Sequence, residues 1–114
     1  MITNGLVTAT IAESASLSGE INLKGGRLFA IVMPAAWTTA NLTFQAATLQ
    51  GGTYNDVYDE DGTEVAVTAA ASRLIILEPA RWLGVRNLKV RSGTTGTPVN
   101  QAAARSVILI TVDG

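Results

Sequence analysis

The chain has 114 residues, no cysteine, no histidine and a formal net charge of -1, with 47% apolar and 15% charged residues. That length fits one domain that buries roughly two-thirds of its unfolded surface, and a charged fraction below the typical ~25% leaves a surface of Thr, Ser, Asn, Gln, Gly and Ala. Without imidazole or thiol the usual general base, the commonest metal ligand and the commonest activated nucleophile are missing, while near-zero charge disfavours nucleic acid and anionic membranes as partners.

The start, Met1 to Gly5, has no basic segment ahead of an apolar run. The longest apolar stretch, Phe29 to Trp37, is interrupted by Pro34 and too short to span a bilayer, so a soluble chain without a cleaved leader is expected. Strand signals begin with Leu6 to Ile11. Leu17, Gly19, Ile21 and Leu23 then alternate with Ser18, Glu20 and Asn22, which predicts one half-buried strand. Lys24-Gly25-Gly26 predicts a turn, and Arg27 to Met33 a central core strand ended by Pro34.

Asn41 to Ala46 alternates again, with Leu42, Phe44 and Ala46 on one face, before Gly51-Gly52 breaks the chain and Tyr54 to Tyr58 resumes it. Asp59-Glu60-Asp61-Gly62 stands between Val57-Tyr58 and Val65 to Val67, the pattern of a tight hairpin. Leu74-Ile75-Ile76-Leu77 is β-branched and apolar, which predicts a buried strand. Glu78 to Leu83 carries Pro79 near its start and Gly84 after its end, predicting a single helical turn. Val85 to Val90 and Val107 to Val112 supply the last strands, separated by a long polar loop over 93–104. About eight to nine short strands with turns every ~8–12 residues predict an all-β, single-domain, two-sheet β-sandwich over 1–114, jelly-roll or Greek-key in connectivity, with 1–5 as an N-terminal arm.

Asp56, Asp59, Glu60, Asp61 and Glu64 gather five of the nine acids on or beside the hairpin. Solvated turn carboxylates keep ordinary pKa values and cannot be set against each other as acid and base, so catalysis there is disfavoured. Asp59-x-Asp61-Gly62 lacks the EF-hand ligand ladder, which favours a solvated turn over a calcium site, and no cofactor is expected. Six of the eight basic residues lie between Arg73 and Arg105. The acids and these bases are expected to pair within the chain, ahead of pairing between subunits. Trp37 and Trp82 are read first as packing or subunit-contact residues. With Tyr54 and Tyr58 they form the alternative, a sugar-stacking platform binding a surface glycan.

Gly26-Arg27-Leu28 through Pro34-Ala35-Ala36-Trp37, Leu42 to Ala46, Gly52 to Asp59, Gly62 to Val65, and Leu88 to Thr94 leading to Pro98 to Gln101 together resemble small virion proteins of tailed bacteriophages, above all head decoration or cement proteins. The resemblance covers most of residues 17 to 112. It implies a non-enzymatic β-sandwich or jelly-roll, made in the host cytoplasm and commonly trimeric. It also implies a virion location, on the major capsid protein where shell subunits meet, resisting internal pressure. A tail or baseplate subunit would share the fold and differ in its partner. The resemblance carries no site residues. Contact elements are expected at the N-terminus (Met1, Ile2, Thr3, Asn4), the hairpin (Asp59, Asp61), the tryptophans (Trp37, Trp82) and the long loop (Pro98, Asn100, Gln101).

Overall fold

The fold was determined as a computed structural model in which residues 4–113 are described. Eight strands form in chain order: β1 (Asn4–Ile11), β2 (Ile21–Asn22), β3 (Arg27–Val32), β4 (Leu42–Ala47), β5 (Asn55–Asp56), β6 (Leu74–Ile76), β7 (Asn87–Ser92) and β8 (Arg105–Val112), with a 3-10 turn at Pro79–Trp82 between β6 and β7. They make two four-stranded sheets of order β1-β8-β3-β6 and β2-β7-β4-β5. Every neighbouring pair is antiparallel. The chain crosses between the sheets so that its first and last strands pair along eight residues, from Asn4 opposite Val112 to Ile11 opposite Arg105. The two-sheet sandwich is the one the strand count predicts, and of the two connectivities expected, jelly-roll or Greek-key, this interleaved order is the jelly-roll.

The core lies between the sheets. Leu28, Ile31, Val107 and Leu109 from one sheet meet Leu42, Phe44, Leu88 and Val90 from the other, all fully buried. Trp82, presented by the 3-10 turn, closes one flank edge-on against Phe44, with ring centroids 4.8 Å apart and planes at 75°. That geometry sets the positive edge of one ring against the negative face of the other. The turn forms because Glu78 caps it, its carboxylate accepting from the Ala80 N–H at 3.2 Å, and Pro79 fits its first position.

Four expectations need correction. Leu17 to Leu23 is not one strand. The Ser18 hydroxyl accepts from the Val90 N–H at 2.9 Å, so a side chain takes a place in the ladder that a backbone carbonyl would hold, and regular pairing is confined to Ile21–Asn22. Val65 to Val67 packs into the core but meets β4 only through the Leu42–Val67 bridge. The stretch from Leu74 is an edge strand on which Leu74 and Ile76 are 60% and 70% exposed, so it is not buried. Asn4 and Gly5 are paired strand residues, which places the last two residues of the expected 1–5 arm inside the sheet.

Because Trp82 is 2% exposed and stacks on a fully buried Phe44, Trp82→Ala is expected to cost about 3–5 kcal/mol of unfolding free energy. Urea titration with tertiary-structure detection measures it. A loss below about 1 kcal/mol would mean that the flank is not part of the core.

Candidate functional site

Alternation along β4 and β7 sends Phe44, Leu88 and Val90 inward and Thr43, Gln45, Lys89 and Arg91 outward. On this outer face Arg91 is the organising group. It is 7% exposed, and its guanidinium reaches Asp56 Oδ1 at 2.5 Å and Glu64 Oε2 at 3.4 Å. The same guanidinium donates to Thr95 Oγ1 at 2.8 Å and to Thr43 Oγ1 at 3.3 Å. Each hydroxyl passes the bond onward, Thr95 to the Glu64 carboxylate and Thr43 to the Gly93 carbonyl at 2.7 Å. Gln45 completes the shell by donating to Asp56 Oδ1 at 3.1 Å.

The network joins three pieces of chain far apart in sequence: β4 through Thr43 and Gln45, β5 with its hairpin through Asp56 and Glu64, and β7 with the turn after it through Arg91 and Thr95. The turn is possible because Gly93 has φ of +92° and a Cβ there would stand 2.6 Å from the Thr97 carbonyl oxygen. The hairpin forms as its Asp-Gly predicts. Asp59 Oδ1 accepts from the Asp61 and Thr63 N–H groups, both at 2.9 Å, and Gly62 takes a φ of +82°. The Asp59 carboxylate therefore serves its own turn. Among the described residues no three acids converge on a point where a metal ion would sit.

Farther along this face Glu20 accepts from the Tyr54 hydroxyl and from the Gly51 N–H at 2.6 Å, while Lys89 Nζ lies 4.5 Å over the Tyr54 ring. Burial, and then the bond to Glu20, push the Tyr54 hydroxyl up to about 12. The Glu20 carboxyl is held below its ordinary value by the Tyr54 bond and then by the Gly51 N–H. A cleft of about 920 Å³ runs beside Gly26, Leu49, Gly52 and Gly84. Arg86 is the one charged side chain in its walls, and no aromatic ring lines it.

The outer face of the other sheet is different in kind. Register places Leu6, Ile110, Ala30 and Ile76 in one row across all four strands, and Thr8, Ile108, Val32 and Leu74 in the next. Asn4, Val112 and Arg27 make a third, shorter row, and Thr10 beside Ser106 closes the opposite end. Leu6 and Ile76 are each 70% exposed, and Ile108, Ile110 and Val32 are half-buried within their own sheet. None of these joins the hydrophobic core. The two central rows hold seven apolar side chains, one threonine and no charge.

The residues singled out from sequence fall into separate places. Trp82 is core, and Gln101, 1% exposed, is a structural pin. Its side chain accepts from the Thr38 N–H at 2.8 Å and donates to Ser92 Oγ at 2.7 Å. Trp37 is half-buried and donates its indole N–H to the Ala40 carbonyl at 3.0 Å. Asp61, Pro98 and Asn100 are exposed, but Pro98 is held by a bridge to Gly93, so the 93–104 segment is fastened at several points and is not a free arm. Met1, Ile2 and Thr3 lie outside the described residues. The outward row on β1, β8, β3 and β6 was missed. Its signal was present as unbroken apolar runs in Val107 to Ile110 and Leu74 to Leu77, where a strand with one wet face should alternate.

Fold and faces together define a jelly-roll sandwich with one polar face locked by its own loops and one apolar face on which, among the described residues, Leu6, Leu74 and Ile76 are exposed while Ala30 is buried. Comparison of the chain with protein-family models, with curated proteins and with solved structures gives no match.

The Arg91 guanidinium, first, and then the Gln45 amide hold the Asp56 carboxyl below the usual carboxylate range. A carboxyl depressed in the folded chain stabilises fully above its unfolded value of about 3.9 and loses that contribution as pH falls through the lower folded value. Urea-derived stability is therefore expected to decline below about pH 4, and Asp56→Asn to flatten that decline while lowering stability at pH 7. Equal pH slopes for the two proteins would remove Asp56 from the account.

Proposed function

We propose that the protein is a non-enzymatic structural subunit of a virion, a head decoration protein that binds the outside of a phage capsid as an oligomer and stabilises the shell. The observation that carries this reading is the bare apolar face of the β1-β8-β3-β6 sheet. A monomer that worked alone would expose these rows to water at a cost of roughly 25 cal/mol per Å² of apolar surface, whereas an assembling subunit covers them. Extended apolar patches mark contact sites, and the jelly-roll is a fold in which capsid proteins are built. The resemblance of Gly26 to Trp37 and of Leu88 to Gln101 to decoration proteins supplies the partner, since fold alone does not name a function.

The rigid polar face suits the same role. A surface on which Asp56 and Glu64 are already paired to Arg91 and Glu20 to Tyr54 presents a fixed shape, and ordering it on binding costs little conformational entropy. The carbohydrate-binding alternative draws no comparable support. Trp82 is buried, Lys89 covers one face of the Tyr54 ring, and the aromatic residues do not line the large cleft.

The test mixes the purified chain with heads of the encoding phage assembled without it. Saturable co-sedimentation is expected, with the decorated heads rupturing at a higher temperature than bare ones. A chain that stays in the supernatant at every ratio would overturn the reading.

A further inference from the structure

We infer that the outer face of the β1-β8-β3-β6 sheet is covered by the same face of a second copy of this chain, in a two-fold, sheet-on-sheet dimer. This rests on the reading of that face as an assembly surface, and it names the occupant.

Three properties of the face select a second copy. The first is its chemistry. Leu6, Ile110, Ala30 and Ile76, then Ile108, Val32 and Leu74, run edge to edge without a charged group. Charge patterns are what steer a surface toward an unlike partner and away from wrong ones. The two central rows carry no charge, so closing them on the same rows of a second copy strips water from no charged group, and Arg27 stands outside them on the shorter third row. The second is its anatomy. An apolar centre is ringed by Thr10 and Ser106 at one end and Asn4 and Arg27 at the other, which is the core-and-rim pattern of a protein interface.

The third is shape and size. Antiparallel sheets pack face to face about 10 Å apart at about -30°, so an identical twisted sheet fits without remodelling. With strands ~4.8 Å apart and same-face residues ~6.8 Å apart along each strand, the face covers roughly 400 Å² of flat sheet. Projecting side chains enlarge its accessible area toward the ~600 Å² per partner at the lower limit of specific interfaces. The match is to a modest dimer whose population depends on concentration. A face that meets itself is isologous and closes at two copies, in place of the three that the resemblance to decoration proteins implies.

The experiment is light scattering on the full chain across a concentration series, with two variants on opposite edges of the face, Leu6→Asp and Ile76→Asp. Both side chains are 70% exposed and outside the core, so the variants are expected to fold and to unfold in one cooperative thermal transition. The wild type is expected to approach twice the 11.8 kDa chain mass. Each aspartate should weaken dimerisation by at least about 100-fold, since it places two unpaired carboxylates in the interface. Leu49→Asp, at a residue that is 70% exposed just after β4 of the opposite sheet, should leave the dimer intact.

A wild-type mass of one chain at every concentration overturns the inference, as does a mass of three chains or a dimer indifferent to both aspartates. Co-sedimentation with capsids separates this failure from failure of the functional proposal. If Leu6→Asp and Ile76→Asp leave the solution mass unchanged but abolish shell binding, the shell covers the face, and the dimer is wrong while the decoration role stands.

Discussion

The structure turns on a single constraint: β8 is paired along both of its edges and is apolar on both of its faces. Side chains alternate strictly along a strand, so pairing with β1 and β3 fixes Val107 and Leu109 toward the core and Ile108, Ile110 and Val112 away from it. A shift of one residue would only exchange one apolar set for the other, so the hydrophobic pattern of β8 does not by itself choose its register. The neighbours choose it. In β1 the core set is Val7, Ala9 and Ile11, and the outward set contains Thr8 and Thr10, which makes the two faces unequal. Through the eight-residue β1–β8 ladder the amphipathic strand imposes its orientation on the strand that lacks one.

The opposite sheet solves the problem of its outer face by a different device. Arg91 stands where an exposed cation would ordinarily be hydrated, but the hairpin after β5 and the turn after β7 bring Asp56, Glu64 and Thr95 to it. Burying an ion pair brings little net stability, because desolvation offsets most of the attraction. Its effect is on which arrangement is chosen. Two carboxylates and two hydroxyls converge on one guanidinium, and each is satisfied only when β5, β7 and both loops are in place. Gly93 permits this, since any other residue would strike the backbone of Thr97 to Val99. The polar face is thus a lock between distant segments.

These two faces explain what could be read from the sequence and what could not. The two-sheet sandwich class, the Asp-Gly hairpin at Asp59 to Gly62 and the turn at Pro79 were legible because each depends on local chemistry: alternation, a turn residue or a capping pattern. The pairing of acids near 56–64 with a base of the last third was legible in kind, though the partner Arg91 was not, because separation along the chain says nothing of distance. The exposure of Leu74 and Ile76 was hidden for the same reason. An apolar triplet reads equally as a buried strand or as an edge strand under a partner, and only the sheet order of β6 separates the two. Gln101 looked like a loop tip but is pinned by Thr38, a residue 63 positions away.

The contrast between the faces bears on how such a subunit would work in a shell. If both faces were apolar, each copy would offer two ways to stack, and a heterologous contact that does not close makes filaments. Charge on the β2-β7-β4-β5 face disfavours that second stacking, because Lys89 and the partly exposed Asp56 and Glu64 carboxylates would have to be stripped of water against an uncharged sheet. In the proposed dimer, association through the apolar face then stops at a closed unit. A closed unit in turn holds two copies of every remaining surface in fixed relation, so that weak contacts of each copy with a repeating lattice act together through effective concentration. One unroofed sheet on an otherwise self-sufficient sandwich is enough for that arithmetic, and it requires no catalytic group, no metal and no strong single contact.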